Sequence, residues 1–108
     1  MARRVGWTEA ALEDLSATAE YIARDSVRYA RTFACEAFAA SDTLAELANR
    51  GRVVPEFGDQ SIRELFLGSH RMIYQVSTER VFIIGLVHGA RDLSAMWLRE
   101  KRTGESEP

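Results

Sequence analysis

The hydrophobic pattern of this chain changes its period once, near Gly51, and this change constrains the fold more than any other feature of the sequence. Before that point, apolar residues recur every three to four positions, which is the period of an amphipathic helix. After it come three apolar runs of strand length, at 61–67, 70–77 and 80–87. A helical half followed by a strand half predicts an α+β fold, with the helices packed on an antiparallel sheet.

The helical half is predicted to contain a short edge strand over residues 3–7 and two helices after it. Thr8 can cap the first helix, over residues 9–24, because its hydroxyl can accept a hydrogen bond from the first turn. Ser26 can cap a second helix, whose apolar period continues to about Asn49. Since the connection between them is so short, the two helices should pack as an antiparallel hairpin.

The strand half is predicted to be a three-stranded meander. Gly68-Ser69 separates the first two apolar runs, and a two-residue Gly-X connection favours a type II′ hairpin. A second tight turn near Thr78-Glu79 leads into the third run. The predicted order of elements is therefore β-α-α-β-β-β, followed by a short C-terminal helix or turn, and Asp92 could cap such a helix.

The predicted hairpin sorts the side chains of its two strands into two faces, since alternate residues of a strand point to opposite sides. One face holds Ile62, Glu64, Phe66, Arg71 and Ile73, and the other holds Arg63, Leu65, Leu67, Met72 and Tyr74. Both faces are partly apolar, yet only one helical hairpin is available to cover them. The sheet should therefore be covered on both sides or should expose an apolar patch, and such a patch usually marks a surface for a partner.

Length and composition predict one domain over residues 1–102 and a disordered tail over 103–108. The net charge of −2 does not favour binding of the whole chain to a polyanion. No apolar run reaches the ~18 residues of a membrane span. The single Cys35 is expected to be a small core residue, and the lack of a disulfide fits a reducing cytoplasm. No metal site and no cofactor are predicted.

Four short segments occur in order behind the helical hairpin: GRVVPE, SIREL, HRMIY and HGARDL. In combination they resemble the RelE/ParE superfamily of bacterial toxins from type II toxin–antitoxin systems, some of which are called plasmid stabilisation proteins. The resemblance extends from about Val5 to Trp97. It implies one of two activities, since RelE-like members cut mRNA in the ribosomal A site and ParE-like members inhibit DNA gyrase.

The mRNA-cutting branch uses two strand lysines, an arginine on the next strand, an arginine after the last strand and a C-terminal tyrosine. The corresponding residues here are Ile62, Glu64, Arg71, Arg91 and Trp97. Both arginines are present, whereas the lysines and the tyrosine are not. Replacing a cation by Glu64 at ~6 Å from the reacting phosphate, with an effective dielectric near 20, costs roughly 6 kcal/mol. This corresponds to about four orders of magnitude in rate.

The resemblance therefore implies a ParE-like toxin without catalytic residues, which inhibits gyrase and forms a hetero-oligomer with a cognate antitoxin. The alternatives are a ribosome-dependent endonuclease that uses Arg71, Arg91 and Glu64, or a non-toxic relative that only binds its antitoxin. His88 is interpreted as the end of a strand rather than a catalytic base. Candidate contacts to the target are Arg71, Arg91, His88 and Trp97, and candidate contacts to the antitoxin are Leu12, Ile22, Phe33 and Phe66.

Overall fold

A computed structural model of the chain describes residues 2–89 and Leu93. Its elements in chain order are β1 (Arg4–Trp7), α1 (Glu9–Ala23), α2 (Val27–Thr43), β2 (Arg52–Val53), β3 (Ile62–Leu67), β4 (His70–Val76) and β5 (Arg80–His88). The predicted order is confirmed with one strand added, β2. Neither helix among these residues is long and apolar enough to cross a bilayer. The predicted C-terminal helix and the tail over 103–108 lie outside the described residues.

Both helices begin where the sequence predicts, and α2 ends earlier than predicted. The Thr8 hydroxyl accepts a hydrogen bond from the Ala11 amide at 3.1 Å, and Ser26 caps α2 in the same way. The predicted end of α2 near Asn49 is wrong, because Thr43 is its last residue. Leu44 and Ala48 are still buried, but irregular turns place them in the core. An apolar spacing of three to four residues therefore did not require a continuous helix here.

The five strands form one sheet in the order β1-β5-β4-β3-β2. Strand β1 pairs with β5 in parallel and lies at an edge, as predicted, while the other pairings are antiparallel. Gly68 has a φ of +59°, which suits the first central position of a type II′ turn. The predicted register of this hairpin is confirmed, from Leu67 opposite His70 to Glu64 opposite Ile73 and beyond.

The sheet has an apolar core on each face. The helices cover one face, where the buried cluster includes Leu15, Phe33, Leu44, Met72 and Ile83. The opposite face carries a second cluster, made of Val54, Ile62, Ile73, Ile84, Val87 and Leu93, with Phe57 and Phe82 packed against it. Of the two expected outcomes, the first holds at the centre of this face, which is covered rather than exposed. The loop after β2 folds back over it and brings Val54 and Phe57 into contact with the strands.

Cys35 is exposed, so its predicted place in the core is wrong. The buried stripe of α2 passes through Ala30, Phe33, Ala37 and Ser41. These residues recur at three to four positions, and Cys35 lies off that line on the solvent side.

Candidate functional site

Four charged side chains meet on the sheet face that is turned away from the helices: Arg52, Glu56, Glu64 and Arg71. Glu64 and Arg71 lie on neighbouring strands with their side chains on the same face, as the predicted register requires. Arg71 donates through Nη1 to Glu64 Oε1 at 2.9 Å, and Arg52 donates through Nε to Glu64 Oε2. The buried carboxylate of Glu64, at 1% exposure, thus holds two arginines. We refer to these four residues as the ion-pair cluster.

The loop after β2 completes the ion-pair cluster by supplying Glu56. Its two carboxylate oxygens accept from Arg71, with Nη1 to Oε1 at 3.1 Å and Nη2 to Oε2 at 2.6 Å. This two-pronged geometry is the strongest form of arginine–carboxylate pairing. The hydrogen bond from Arg71 lowers the pKa of Glu56, and the bond to Glu56 raises the pKa of Arg71. Both partners are therefore held in their charged forms.

The ion-pair cluster is electrically balanced, with two arginines facing two glutamates. Arg71, a predicted contact to the target, is only 4% exposed, and its guanidinium is already engaged by two carboxylates. Arg52 is largely exposed and lies over the ring of Phe66, with Cζ 5.1 Å from the ring centroid. A phosphate could reach Arg71 only by displacing Glu56, and it would then lie close to Glu64.

Sequence reasoning singled out Arg71 and Glu64 but missed Arg52 and Glu56. Both of the missed residues lie in the segment GRVVPE, which carries part of the family pattern but no local sign of a charged site. Their spacing of four residues looks like an ordinary polar loop. Nothing local shows that the loop turns back over β3 and β4, so the partner of a buried charge could not be identified from it.

A hydrogen-bonded tyrosine fixes the segment that leads into β2. The buried hydroxyl of Tyr74 donates to the Ala48 carbonyl at 2.9 Å and accepts from the Gly51 amide at 2.9 Å. Burial raises the pKa of this phenol. Gly51 has no room for a side chain, since a Cβ there would lie 2.5 Å from the Glu64 carbonyl oxygen. The close approach positions β2, and with it Arg52, against β3.

A second candidate region is a pocket of about 380 Å³ between the turn that joins the helices and the β3–β4 hairpin. Ile22, Phe33 and His88 line it, so the structure brings together two predicted antitoxin contacts and one predicted target contact. Phe33 is itself 5% exposed and presents only a small part of its ring. We call this region the hairpin pocket.

The imidazole of His70 lines the hairpin pocket and contacts two of its other rings. Its ring centroid lies 5.3 Å from that of Phe33 and 5.5 Å from that of His88, both in edge-to-face geometry. Burial, with a smaller contribution from the nearby His88, lowers the pKa of His70. The lowered pKa favours the neutral form of this side chain, which can hydrogen-bond or pack against a ring.

Two further predicted antitoxin contacts, Leu12 and Phe66, lie on different sides of the molecule, and Phe66 adjoins the ion-pair cluster through Arg52. Leu12 is 43% exposed on α1, whereas Phe66 is 53% exposed on the opposite side of the sheet. The predicted antitoxin contacts are thus divided between the two sides. Arg91 and Trp97 lie outside the described residues. Within the described part of the chain, no three His, Cys, Asp or Glu side chains are placed to hold a metal ion.

A family model and a curated relative both identify a toxin family. The family model described as the ParE toxin of the type II toxin–antitoxin system parDE matches residues 5–93. The chain is 36% identical over 89 residues to Toxin RelE2 of Caulobacter vibrioides, covering 82% of this chain and 97% of that protein.

Two solved structures share the fold, each at 20% sequence identity. One is a chain of the chromosomal ParDE toxin–antitoxin system from P. aeruginosa, with a TM-score of 0.66 over 81% of this chain and 96% of that one. The other belongs to the RelBE2 toxin–antitoxin complex from Mycobacterium tuberculosis, with a TM-score of 0.51 over 82% and 99%. At this level of identity they support the fold alone.

Proposed function

The chain belongs to the ParE toxin family of type II toxin–antitoxin systems, and from that premise we propose that it inhibits DNA gyrase by binding, without a catalytic step of its own. The observation that carries this proposal is the ion-pair cluster. At the position where an mRNA-cutting relative is expected to present a cation, this chain has Glu64, buried and paired with two arginines.

Cleavage of RNA by its own 2′-hydroxyl builds negative charge on the phosphate, and cations must be free to stabilise it. Arg71 is the predicted cation within the described residues, and its charge is already matched by Glu56 and Glu64. Since the four charges of the ion-pair cluster balance, they offer a nearby phosphate no net attraction. The described part of the site therefore lacks the excess positive charge that the nuclease reaction needs. This supports a binding toxin.

A cognate antitoxin is the second partner in this proposal, and its complex with the chain would be a hetero-oligomer in the cytoplasm. Two exposed or half-buried apolar residues on the helix side, Leu12 and Ile22, are available for it. The two solved structures named above, which share the fold of this chain, come from toxin–antitoxin systems. The proposed antitoxin surface is thus the helix side of the molecule and the adjoining hairpin pocket.

The test is supercoiling of relaxed plasmid by DNA gyrase, with purified antitoxin-free chain titrated into the reaction. We expect loss of supercoiling, or accumulation of linear plasmid, at nearly stoichiometric amounts of the chain. The matched control is the same chain bound to its antitoxin, which should leave gyrase active. No effect from folded chain would overturn the proposal.

A parallel assay of mRNA cleavage on ribosomes distinguishes the alternatives. We expect no cleavage by the folded chain. Cleavage of A-site codons without an effect on gyrase would establish the endonuclease instead. Antitoxin binding without either effect, and without growth arrest on unopposed expression, would identify a relative that has lost its toxicity.

A further inference from the structure

The hairpin pocket has a composition that favours a positively charged ligand. Its walls include two exposed tyrosines, Tyr21 and Tyr29, together with the rings of Phe33, His70 and His88. Aromatic faces carry partial negative charge and attract cations, arginine more often than lysine. The volume of about 380 Å³ is large enough for a guanidinium and its aliphatic stem.

A carboxylate gives the pocket its charge. Glu36 is the single acidic residue among the described residues that line it, and none of those residues is Lys or Arg. Tyr29, Phe33 and Glu36 are spaced four and three residues apart on α2, so their side chains share one face of the helix. The lowered pKa of His70 favours its neutral imidazole, which weakens its repulsion of a cation. The described wall therefore has a net negative charge and several ring faces.

Within the chain itself, a guanidinium already lies over one of the tyrosine rings that line the hairpin pocket. Cζ of Arg24 lies 5.7 Å from the ring centroid of Tyr21. Arg24 follows the last residue of α1 and is exposed, and it is not part of the pocket wall. A planar guanidinium entering the pocket would find a similar ring at Tyr29 and a hydrogen-bond acceptor at Glu36.

We infer that the hairpin pocket binds an arginine side chain supplied by the antitoxin, stacked among the rings and paired with Glu36. This inference rests on the proposed antitoxin partner. It assigns the pocket a different role from the apolar contacts around it, because the arginine would fix the position and direction of the partner segment while apolar contacts provide most of the buried area.

The probe is N-acetyl-arginine amide, titrated into the antitoxin-free chain at pH 7.5 while the imidazole signals of His70 and His88 are followed by NMR. We expect saturable shifts of both signals. The neutral isostere N-acetyl-citrulline amide has the same shape without the charge and should bind about tenfold more weakly. Equal shifts from both probes, or none from either, would overturn the inference. Tighter binding of N-acetyl-lysine amide would overturn the choice of arginine.

The matched variants are Glu36→Gln and Glu13→Gln, which each remove one exposed carboxylate from a helix, inside and outside the pocket respectively. Glu36→Gln should weaken arginine binding about fivefold, and Glu13→Gln should leave it unchanged. Equal effects of the two variants would indicate attraction by overall charge rather than a site, and would overturn the inference.

The same titration on the chain purified with its antitoxin identifies the source of the arginine. We expect no shift there, because the pocket would already be filled. Shifts that persist in the complex would overturn the antitoxin as the occupant. A chain that captures arginine but neither co-purifies with an antitoxin nor inhibits gyrase would refute the proposed function separately from the pocket.

Discussion

The two faces of the sheet are both buried, but different forces bury them. On the helix-covered face, apolar side chains such as Leu44 and Ile83 form the buried cluster. On the opposite face, an apolar cluster adjoins the four charges of the ion-pair cluster. Each apolar contact adds its own part to the unfolding free energy. A buried charge, in contrast, is tolerated only while its charged partners remain in place. The second face should therefore be much more sensitive to single substitutions of its polar residues.

The largest loss of unfolding free energy is expected from Glu64→Gln, on the face that carries the ion-pair cluster. The change leaves Arg71 buried with only Glu56 to balance it, and losing one partner of a buried pair costs about 3–5 kcal/mol of unfolding free energy. Urea denaturation at pH 7 measures this loss. The double variant Glu64→Leu/Arg71→Leu removes both charges and should recover much of the stability. A loss below about 1 kcal/mol in Glu64→Gln would contradict the comparison.

The next largest effect is expected on the helix-covered face, from Tyr74→Phe. The substitution keeps the ring but leaves the buried Ala48 carbonyl and Gly51 amide without their side-chain partner. Such unsatisfied groups cost about 1–3 kcal/mol. Thermal and urea unfolding of Tyr74→Phe should show this, while Tyr29→Phe, which changes an exposed tyrosine, serves as a control with no loss. Equal stability of both variants would mean that the hydroxyl of Tyr74 does not fasten this segment.

A smaller effect is expected at the start of α1, where local rather than tertiary contacts act. Thr8→Ala removes the oxygen that accepts from the Ala11 amide and should cost about 1 kcal/mol. Thr8→Ser retains the acceptor and should restore most of that stability. The measurement is the urea midpoint at constant slope. If Thr8→Ser and Thr8→Ala destabilised the chain equally, loss of the capping hydrogen bond would not explain the lower stability.

The smallest effect is expected from Glu56→Gln, since this carboxylate is 39% exposed and water screens its pairing. We expect a loss below about 1 kcal/mol at pH 7. The pKa of Glu56 is lowered from 4.5 in the folded chain, so its contribution is present above pH 4.5 and disappears as the pH falls through the lowered value. The difference between wild type and variant should therefore shrink under acid. A difference that grows as the pH falls would contradict the pairing.

Local signals predicted most of the fold. The change of hydrophobic period separated the helices from the strands, and Thr8 and Ser26 marked both helix starts. Gly68-Ser69 determined the register of the hairpin, which in turn placed Glu64 and Arg71 on one face. These features act over a few neighbouring residues, and for that reason a sequence pattern reports them well.

The candidate sites were harder to predict because they depend on contacts between distant segments. The early end of α2, strand β2 and the cover of the second face all follow from how residues 44–60 fold back on the sheet. No local spacing of Arg52 and Glu56 indicates that they meet Glu64 and Arg71. Likewise, Tyr29 and Glu36 come near His70 only when the helical hairpin docks on the strands.

The sequence by itself determined the elements, their order, the hairpin register and the family pattern, since these depend on backbone propensity and short-range periodicity. Only the tertiary structure decided that Glu64 is a buried partner of two arginines rather than a free carboxylate. It also decided that Arg71 is charge-balanced, and that rings from four separate elements enclose the hairpin pocket. The physical reason is that burial and charge neutralisation depend on which residues lie nearby in space. The chain acquires those neighbours only when it packs.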